Sequence, residues 1–355
     1  MTLVVTGADG FLGWHTRVLA HARGLAAVVG VCRGGDLDRV DGADRVVHIA
    51  GVNRGGPAEI AGGNLGAAEA LAAAIGRAAA PPRTVVYANS AQAGNGTPYG
   101  DAKAAAGAVL ADAAARAGSR FVDVTLPNLF GEHGRPFYNS VVATFAHLLA
   151  TGGTPEVHDD RELDLLHVTD AAALLLDPAP GPAPMFRATV SDLAARLTRF
   201  AEVYRTGEIP ALGGRDDVRL FNTYRSQCFP THYPMRPARH SDARGELVEA
   251  VKVHGGGGQS FVSSTVPGVT RGQHYHLAKV ERFLVLRGEA EISLRRLLHD
   301  DVVTFRVSGD EPAIVDMPTM WAHNITNTGS GELLTLFWAN DLFDAANPDT
   351  YPEEV

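Results

Sequence analysis

The sequence predicts an α/β half followed by an all-β half. An apolar strand, a glycine turn and a helix open the chain between Thr2 and Ala20. Short apolar strands then alternate with alanine-rich stretches, the pattern of a doubly wound parallel sheet. Beyond residue 240, strand-like segments are framed by glycines and proline-bearing turns and carry His274 and His276 in alternation. At 355 residues the chain has room for two cores, and the expected division is 1–230 and 235–355.

The composition excludes several classes of function. Hydrophobic content of 45% and charged content of 20% are those of a globular protein. A net charge of -9 argues against nucleic-acid binding by phosphate neutralisation, so no nucleic-acid partner is expected. With two cysteines, Cys32 and Cys228, no disulfide framework is expected, and a cytoplasmic setting fits. No signal peptide and no membrane-length apolar run is read, so no membrane partner is expected either. Only Lys103, Lys252 and Lys279 are lysines among 31 basic residues, which marks them as candidates for chemistry that a guanidinium cannot do.

The first strand runs into Gly7-Ala-Asp-Gly10-Phe11-Leu-Gly13. Glycines there let the backbone approach a pyrophosphate at the helix N-terminus. The second strand, Ala27 to Cys32, ends in Arg33, where an NAD-preferring site would carry an acid; an arginine can grip a 2′-phosphate, which favours NADP(H). Arg33 as a solvated loop residue is the alternative. A third strand ends at Ala50 and Gly51, Asn64 opens an alanine-rich helix, and a further strand ends at Ser90. Tyr99 and Lys103 follow with i, i+4 spacing, one helix face. A cation beside a phenol lowers its pKa and suits it to protonate a carbonyl under reduction.

In the second half, two imidazoles alternate on one strand face, Glu281 returns after a short turn, and His323 follows a proline turn at Pro318. Three neutral nitrogens and one carboxylate suit an open catalytic site for Zn, Mn, Ni or Fe, with zinc the first choice.

These segments carry resemblances. The His274, His276, Glu281 and His323 pattern resembles the cupin superfamily, which implies a jelly-roll barrel. Met320 departs from that family, which has glycine at its position. TGADGFLG, HIAG, Ser90 and Tyr99-x3-Lys103 resemble the extended short-chain dehydrogenase/reductase family, which implies a Rossmann-type sheet and a nucleotide-sugar substrate. That resemblance makes Tyr99 the proton donor, Lys103 the holder of the ribose and Ser90 the partner of the carbonyl. It also places Asn128 of LPNLFG, and with it Asn139 of YNSVVATF, against the sugar nucleotide, although Leu126 departs from the more basic residue usual before the proline.

Ser241-Asp242-Ala-Arg244-Gly245 resembles the entry strand of deoxysugar epimerases built on cupin barrels, where Arg244 would hold the nucleotide. The whole chain resembles bifunctional capsular-polysaccharide enzymes that join a reductase to a metal cupin. The resemblance implies C3 epimerisation of a UDP-linked 4-keto-6-deoxy amino sugar, NADPH-dependent C4 reduction and a homodimer. Lys279, Tyr275 and Lys252 are candidates for the C3 proton shuttle, the last also for a phosphate. Rival readings make the barrel an iron oxygenase, or a binding or dimerisation module without catalysis. Residues 178–184 are expected to form a loop, 191–206 an amphipathic helix, and 207–234 a turn-rich connection.

Overall fold

The structure is a computed structural model that describes residues 1–25, 27–178, 184–243 and 245–355. Contacts gather the chain into two compact units, Met1–Val141 with Arg161–Val190, and Val142–Asp160 with Ser191–Val355.

In the first unit, β1 (Thr2–Thr6), β2 (Ala27–Val31), β3 (Arg45–His48), β4 (Thr84–Ser90) and β5 (Arg120–Leu126) form one parallel sheet in the order β2-β1-β3-β4-β5. Leu3, Val4, Val5, Val46, Val85 and Val86 are buried, as expected of strands covered on both faces. Helices α1 (Phe11–Ala22), α2 (Pro57–Arg77) and α3 (Pro98–Ala117) supply the cover. Ala68, Leu71, Ala106, Leu110 and Ala114 pack on Val4, Val46 and Val85, so the alanines of α2 and α3 allow close helix packing over the sheet. Successive strands leave β1 in opposite directions, to β2 on one side and β3 on the other. That places the topological switch point, the usual ligand crevice of such sheets, at the C-terminal ends of β1 and β3.

A small sheet of β6 (Asn128–Phe130), β7 (Glu162–His167) and β8 (Phe186–Thr189) completes this unit. Helix α4 (Val141–Ala150) falls mainly in the second unit, whereas α5 (Val168–Leu176) packs on α1. Residues 179–183 of the loop expected over 178–184 lie outside the described residues.

Asn64 does not open its helix. Pro57 at the first turn starts α2 earlier, and Asn64 sits in mid-helix, donating back to Ile60 O at 2.8 Å. The turn-rich reading of 207–234 is also corrected. After α6 (Val190–Tyr204), helix α7 (Arg215–Cys228) occupies that stretch. Asp216 and Asp217 fill its first turn and favour the dipole, while Phe221, Tyr224 and Cys228 repeat on one buried face.

The all-β part begins with a ribbon of β9 (Arg239–Asp242) and β10 (Gly245–Val248), paired with each other and separate from the barrel sheets; Arg244 lies outside the described residues. The remaining strands are β11 (Gln259–Thr265), β12 (Thr270–Tyr275), β13 (Glu281–Arg287), β14 (Glu289–Arg296), β15 (Val302–Ser308), β16 (Ile314–Met317), β17 (Trp321–Asn327), β18 (Leu333–Ala339) and β19 (Tyr351–Pro352). They form two antiparallel sheets, β11-β18-β13-β16 and β15-β14-β17-β12-β19. Phe283, Val285, Ile292, Leu294, Val315, Ile325 and Phe337 fill the space between them, giving a jelly-roll sandwich.

One buried polar network ties α6 and α7 to this barrel. Arg282 grips Asp316 through two bonds of 2.7 and 2.9 Å, and the Tyr204 hydroxyl donates to the same carboxylate at 2.6 Å. Arg225 reaches Met317 O at 2.7 Å and the Tyr204 oxygen at 3.3 Å, and Tyr233 completes the set. Burial would raise the Asp316 pKa, but the Arg282 and Arg225 charges and the Tyr204 bond outweigh it and hold the carboxyl below its ordinary range. Among the described residues, no helix is long and apolar enough to cross a membrane.

Candidate active site and metal centre

The first site forms where β1, β3 and β4 end. Gly7 has φ of 69°, and a Cβ on it would lie 2.8 Å from the Ala50 amide nitrogen, so the two strand-end loops touch at the switch point. A Cβ on Gly13 would come within 2.0 Å of Gly7 O. Only glycine permits this cradle, with Gly10 as the N-cap and Phe11 as the first residue of α1; the Thr6 hydroxyl and Asn64 brace the Ala50 and Gly51 turn. A backbone this close to a helix N-terminus fits a dinucleotide pyrophosphate. Arg33 is exposed, two residues past the end of β2.

Ser90, Tyr99 and Lys103 come together from β4 and α3. Thr97 caps α3, accepting from Gly100 N at 3.1 Å, and Pro98 starts it, so Tyr99 sits in the first turn. The phenol hydrogen-bonds Ser90. Lys103 is 5% exposed, donates to Ala88 O at 2.6 Å and sits 4.2 Å over the Tyr87 ring. Burial pushes its ammonium down to about 8, with Asp123 opposing. The lowering of the phenol expected from Lys103 does not appear: burial raises Tyr99, Ser90 offsets part of that, and Tyr138 adds to it.

Tyr138 has Arg54 and Arg135 against its ring, and Arg54 also donates to Asn139 Oδ1 at 3.2 Å. These three residues escaped the sequence reading because no local spacing marks them. Asn128 is exposed and donates to Asp164 O at 3.1 Å, so the structure places it on a separate sheet edge.

The second site gathers His274, His276, Glu281 and His323, each with a ligand atom within 4.8 Å of the others. His274 and His323 face one another across the β12–β17 pair, their ring centroids 4.7 Å apart, while Glu281 begins β13 on the opposite sheet. The aim of His274 depends on a bulge: Gly272 pairs with Asn324 and His274 with His323, so Gln273 is an extra residue, with φ of 60°. A Cβ on Gly272 would lie 2.8 Å from His323 O.

Each imidazole is tied by a backbone carbonyl. His276 Nδ1 donates to Asp349 O at 2.5 Å, His323 Nδ1 to Trp321 O at 3.0 Å, and the His274 ring to Gly272 O. Such bonds leave the Nε2 atoms of His276 and His323 free to ligate. Glu281 Oε2 lies 3.1 Å from His276 Nε2 and 3.3 Å from His323 Nε2; with both Nδ1 atoms donating elsewhere, these are two buried acceptor nitrogens facing a carboxylate, and the His323 Nε2 has no hydrogen-bond partner. Burial holds His274 down to about 4, with the two neighbouring imidazoles adding to it. Burial would raise Glu281, yet His276 and His323 outweigh it and keep the carboxyl well below its usual range. Neutral nitrogens, an ionised oxygen and an orphaned Nε2 fit a divalent cation.

Met320 has φ of 63°, a left-handed conformation that glycine adopts without strain, and its amide donates to His276 O at 2.7 Å. Lys279 is held by Pro348 O at 2.7 Å and Thr350 Oγ1 at 3.2 Å. Tyr275 neighbours His274 on β12 and therefore points to the opposite face, where it stacks on Tyr351. Lys252 is exposed, between Glu249 at 2.6 Å and Glu208 at 3.6 Å.

Comparison with known proteins covers both halves of the chain. The NAD dependent epimerase/dehydratase family matches residues 3–177, and the Polysaccharide biosynthesis C-terminal domain matches 240–351. The capsular polysaccharide assembling protein CapF from Staphylococcus aureus is 30% identical with a TM-score of 0.61, covering 100% of both chains. A Pseudomonas aeruginosa protein named UDP-2-acetamido-2,6-beta-L-arabino-hexul-4-ose reductase is 32% identical over 366 residues, 99% of this chain and 98% of that one. The chain belongs to the CapF-type family. Members of that family are enzymes in which a short-chain dehydrogenase/reductase domain with a nicotinamide cofactor precedes a cupin. This chain is thus a nucleotide-sugar reductase/epimerase related to UDP-4-ketosugar reductases. A second solved structure, CapF with inhibitor 3-isopropenyl-tropolone, is 28% identical with a TM-score of 0.58 and full coverage of both chains.

Proposed function

We propose that the chain is bifunctional, epimerising C3 of a UDP-4-keto-6-deoxy-2-acetamido sugar in the barrel and then reducing C4 with NADPH in the parallel-sheet domain. Functionally, 1–230 is the reductase and 235–355 the epimerase. The observation that carries this reading is the convergence of three buried imidazoles and Glu281 in a chain that also holds a Ser90–Tyr99–Lys103 constellation. The name of the Pseudomonas aeruginosa relative, a hexul-4-ose reductase, supports a ketone at C4 as the group reduced.

A bound divalent ion, zinc first, supplies Lewis-acid polarisation of a carbonyl oxygen, and a bound NADPH supplies hydride. His274, His276, Glu281 and His323 would hold the first, and the Gly7–Gly13 cradle with Arg33 the second. In the reductase, Ser90 orients the carbonyl, and Tyr99 delivers a proton to its oxygen as the alcohol forms. Lys103, held at Ala88 O, orients the ribose. Arg244, Asn128, Asn139 and Lys252 bind the nucleotide and sugar. In the barrel, Lys279 moves the C3 proton, a role supported by its three-residue separation from His276 and by the two tail oxygens that fix its ammonium.

A structural ion in a non-catalytic module is the rival reading, drawing on a set of four protein ligands. Incubating the 4-ketosugar in D2O without NADPH separates the two. Deuterium at C3 that disappears in His323→Ala, while a pre-epimerised ketone is still reduced, supports the epimerase; no deuterium in the wild type sinks it. A homodimer is part of the proposal: Phe261, Val262, Leu342 and Phe343 are exposed apolar side chains of the second unit, and light scattering at the monomer mass would remove it.

A further inference from the structure

The C-terminal tail meets the metal quartet at one residue. Asp349 accepts from His276 Nδ1 through its main-chain oxygen at 2.5 Å. Its carboxylate gathers three successive amides, from Leu277 at 2.9 Å, Ala278 at 2.9 Å and Lys279 at 2.8 Å, the whole turn between the second histidine and Lys279. Its neighbours hold the Lys279 ammonium, Pro348 through its carbonyl and Thr350 through its hydroxyl.

The backbone of Asp349 is left-handed, with φ of 40°, a conformation that aspartate and asparagine tolerate better than other side chains. Beyond it, β19 pairs with β12 so that His274 lies opposite Pro352, and Glu353 N donates to Gln273 O at 2.9 Å on the bulge itself. Arg295 anchors the end through Glu353 at 2.7 Å. The tail therefore grips the metal-ligand strand at the bulge, at the second histidine and at the turn that follows.

We propose that Asp349 is a positioning residue for the metal centre, fixing the His276 tautomer and the 277–279 turn so that His276 Nε2 and Lys279 are set together. The proposal rests on the metal-centre reading above. A carbonyl accepting from Nδ1 leaves Nε2 as the ligand atom, and partners of this kind tune affinity without touching the ion. A tail that served only to hold the barrel together would need neither the imidazole contact nor the three-amide grip on the turn beside it.

The test uses the full chain with Zn2+ or Co2+ alone, titrated against a competing chelator, as wild type, Asp349→Ala and Asp349→Asn. The Ala variant keeps the main-chain oxygen but loses the carboxylate that fixes the 277–279 turn against it, and should bind about 10-fold more weakly, the lower end of the range for outer partners. Its Co2+ absorption spectrum should shift as the imidazole turns. Asparagine keeps one acceptor oxygen and the tolerance for a left-handed backbone, so its affinity should fall between the two. Equal affinity and an unchanged spectrum in both variants would overturn the proposal, as would a lower unfolding temperature with unaltered metal binding. If the Ala variant does not fold, the Asn variant decides by the same criteria. Absence of metal binding in the wild type is a different result, which removes the metal-centre reading itself.

Discussion

The two sites are built on opposite principles. In the parallel-sheet unit, the cofactor cradle is made of backbone, from Gly7, Gly13 and the Ala50 turn, and its reactive side chains are added where β4 meets α3. In the barrel, side chains make the site, and backbone carbonyls from Gly272, Trp321 and Asp349 only orient them. A phosphate has many acceptors and is met by amides and a helix terminus, whereas a small cation needs a few donors at fixed points. The comparison teaches that cofactor binding in the first site depends on glycines, whereas ion binding in the second depends on four side chains, with Gly272 the one glycine it also needs.

Removing the phenol should separate the sites most sharply. Tyr99→Phe is expected to cut ketone reduction by about 10²–10⁴-fold, the usual worth of a positioned proton donor. Deuterium exchange at C3 should be untouched, and a parallel loss there would show that the two chemistries share residues.

Next in size is Asp316→Ala, which leaves two buried guanidiniums, Arg282 and Arg225, without their carboxylate. Breaking such a network costs about 3–5 kcal/mol, so denaturant curves should show the barrel transition moving to lower urea while the other unit holds its midpoint. The same network predicts that a barrel fragment cut at residue 235, stripped of Tyr204 and Arg225, is less stable than one begun at 191.

The pH dependence of the first unit should follow Lys103. Its folded pKa, about 8, lies below the ordinary lysine value of 10.5, so the unfolded chain binds more protons between those values. Stability therefore rises as pH increases through that window, and the burial cost is fully present below pH 8. The swing is at most about 3 kcal/mol. Subtracting a Lys103→Met curve should isolate it, and identical slopes for both proteins would show that the ammonium is not desolvated.

The smallest expected effect is at Met320. Glycine there would relieve a left-handed strain of about 1–2 kcal/mol. It would also delete a side chain only 1% exposed. Losing a buried methionine costs about 2–5 kcal/mol, so burial wins and Met320→Gly should lower the thermal midpoint modestly. A rise would show that the turn is strained beyond that range.

What could be read from the sequence was local. Two histidines in alternation, an acid after one turn, and a tyrosine and lysine four apart are patterns a short window holds; the structure gathers the histidines and the acid and puts Tyr99 and Lys103 on one helix. What escaped depends on separation. Asp349 reaches His276 across 73 positions, and Arg54 reaches Asn139 across 85, with no periodicity linking either pair. Helix α7 was missed for another reason: its mean hydropathy is low, and Arg219 and Arg225 sit on the buried side, so its apolar face reads as broken. The expected influence of Lys103 on Tyr99 failed because i, i+4 spacing fixes a face and not a partner; the ammonium found the Ala88 carbonyl first.

Excising Gln273 would leave Gly272 opposite Asn324 and His274 opposite His323, so the four ligands would keep their faces and the strand would lose only its local bend. What such a one-codon deletion would take away is the main-chain oxygen that accepts from Glu353 N and the side-chain oxygen that accepts from Val355 N. The extra residue is thus a handle for the end of the chain, and its loss would loosen the tail while sparing every histidine.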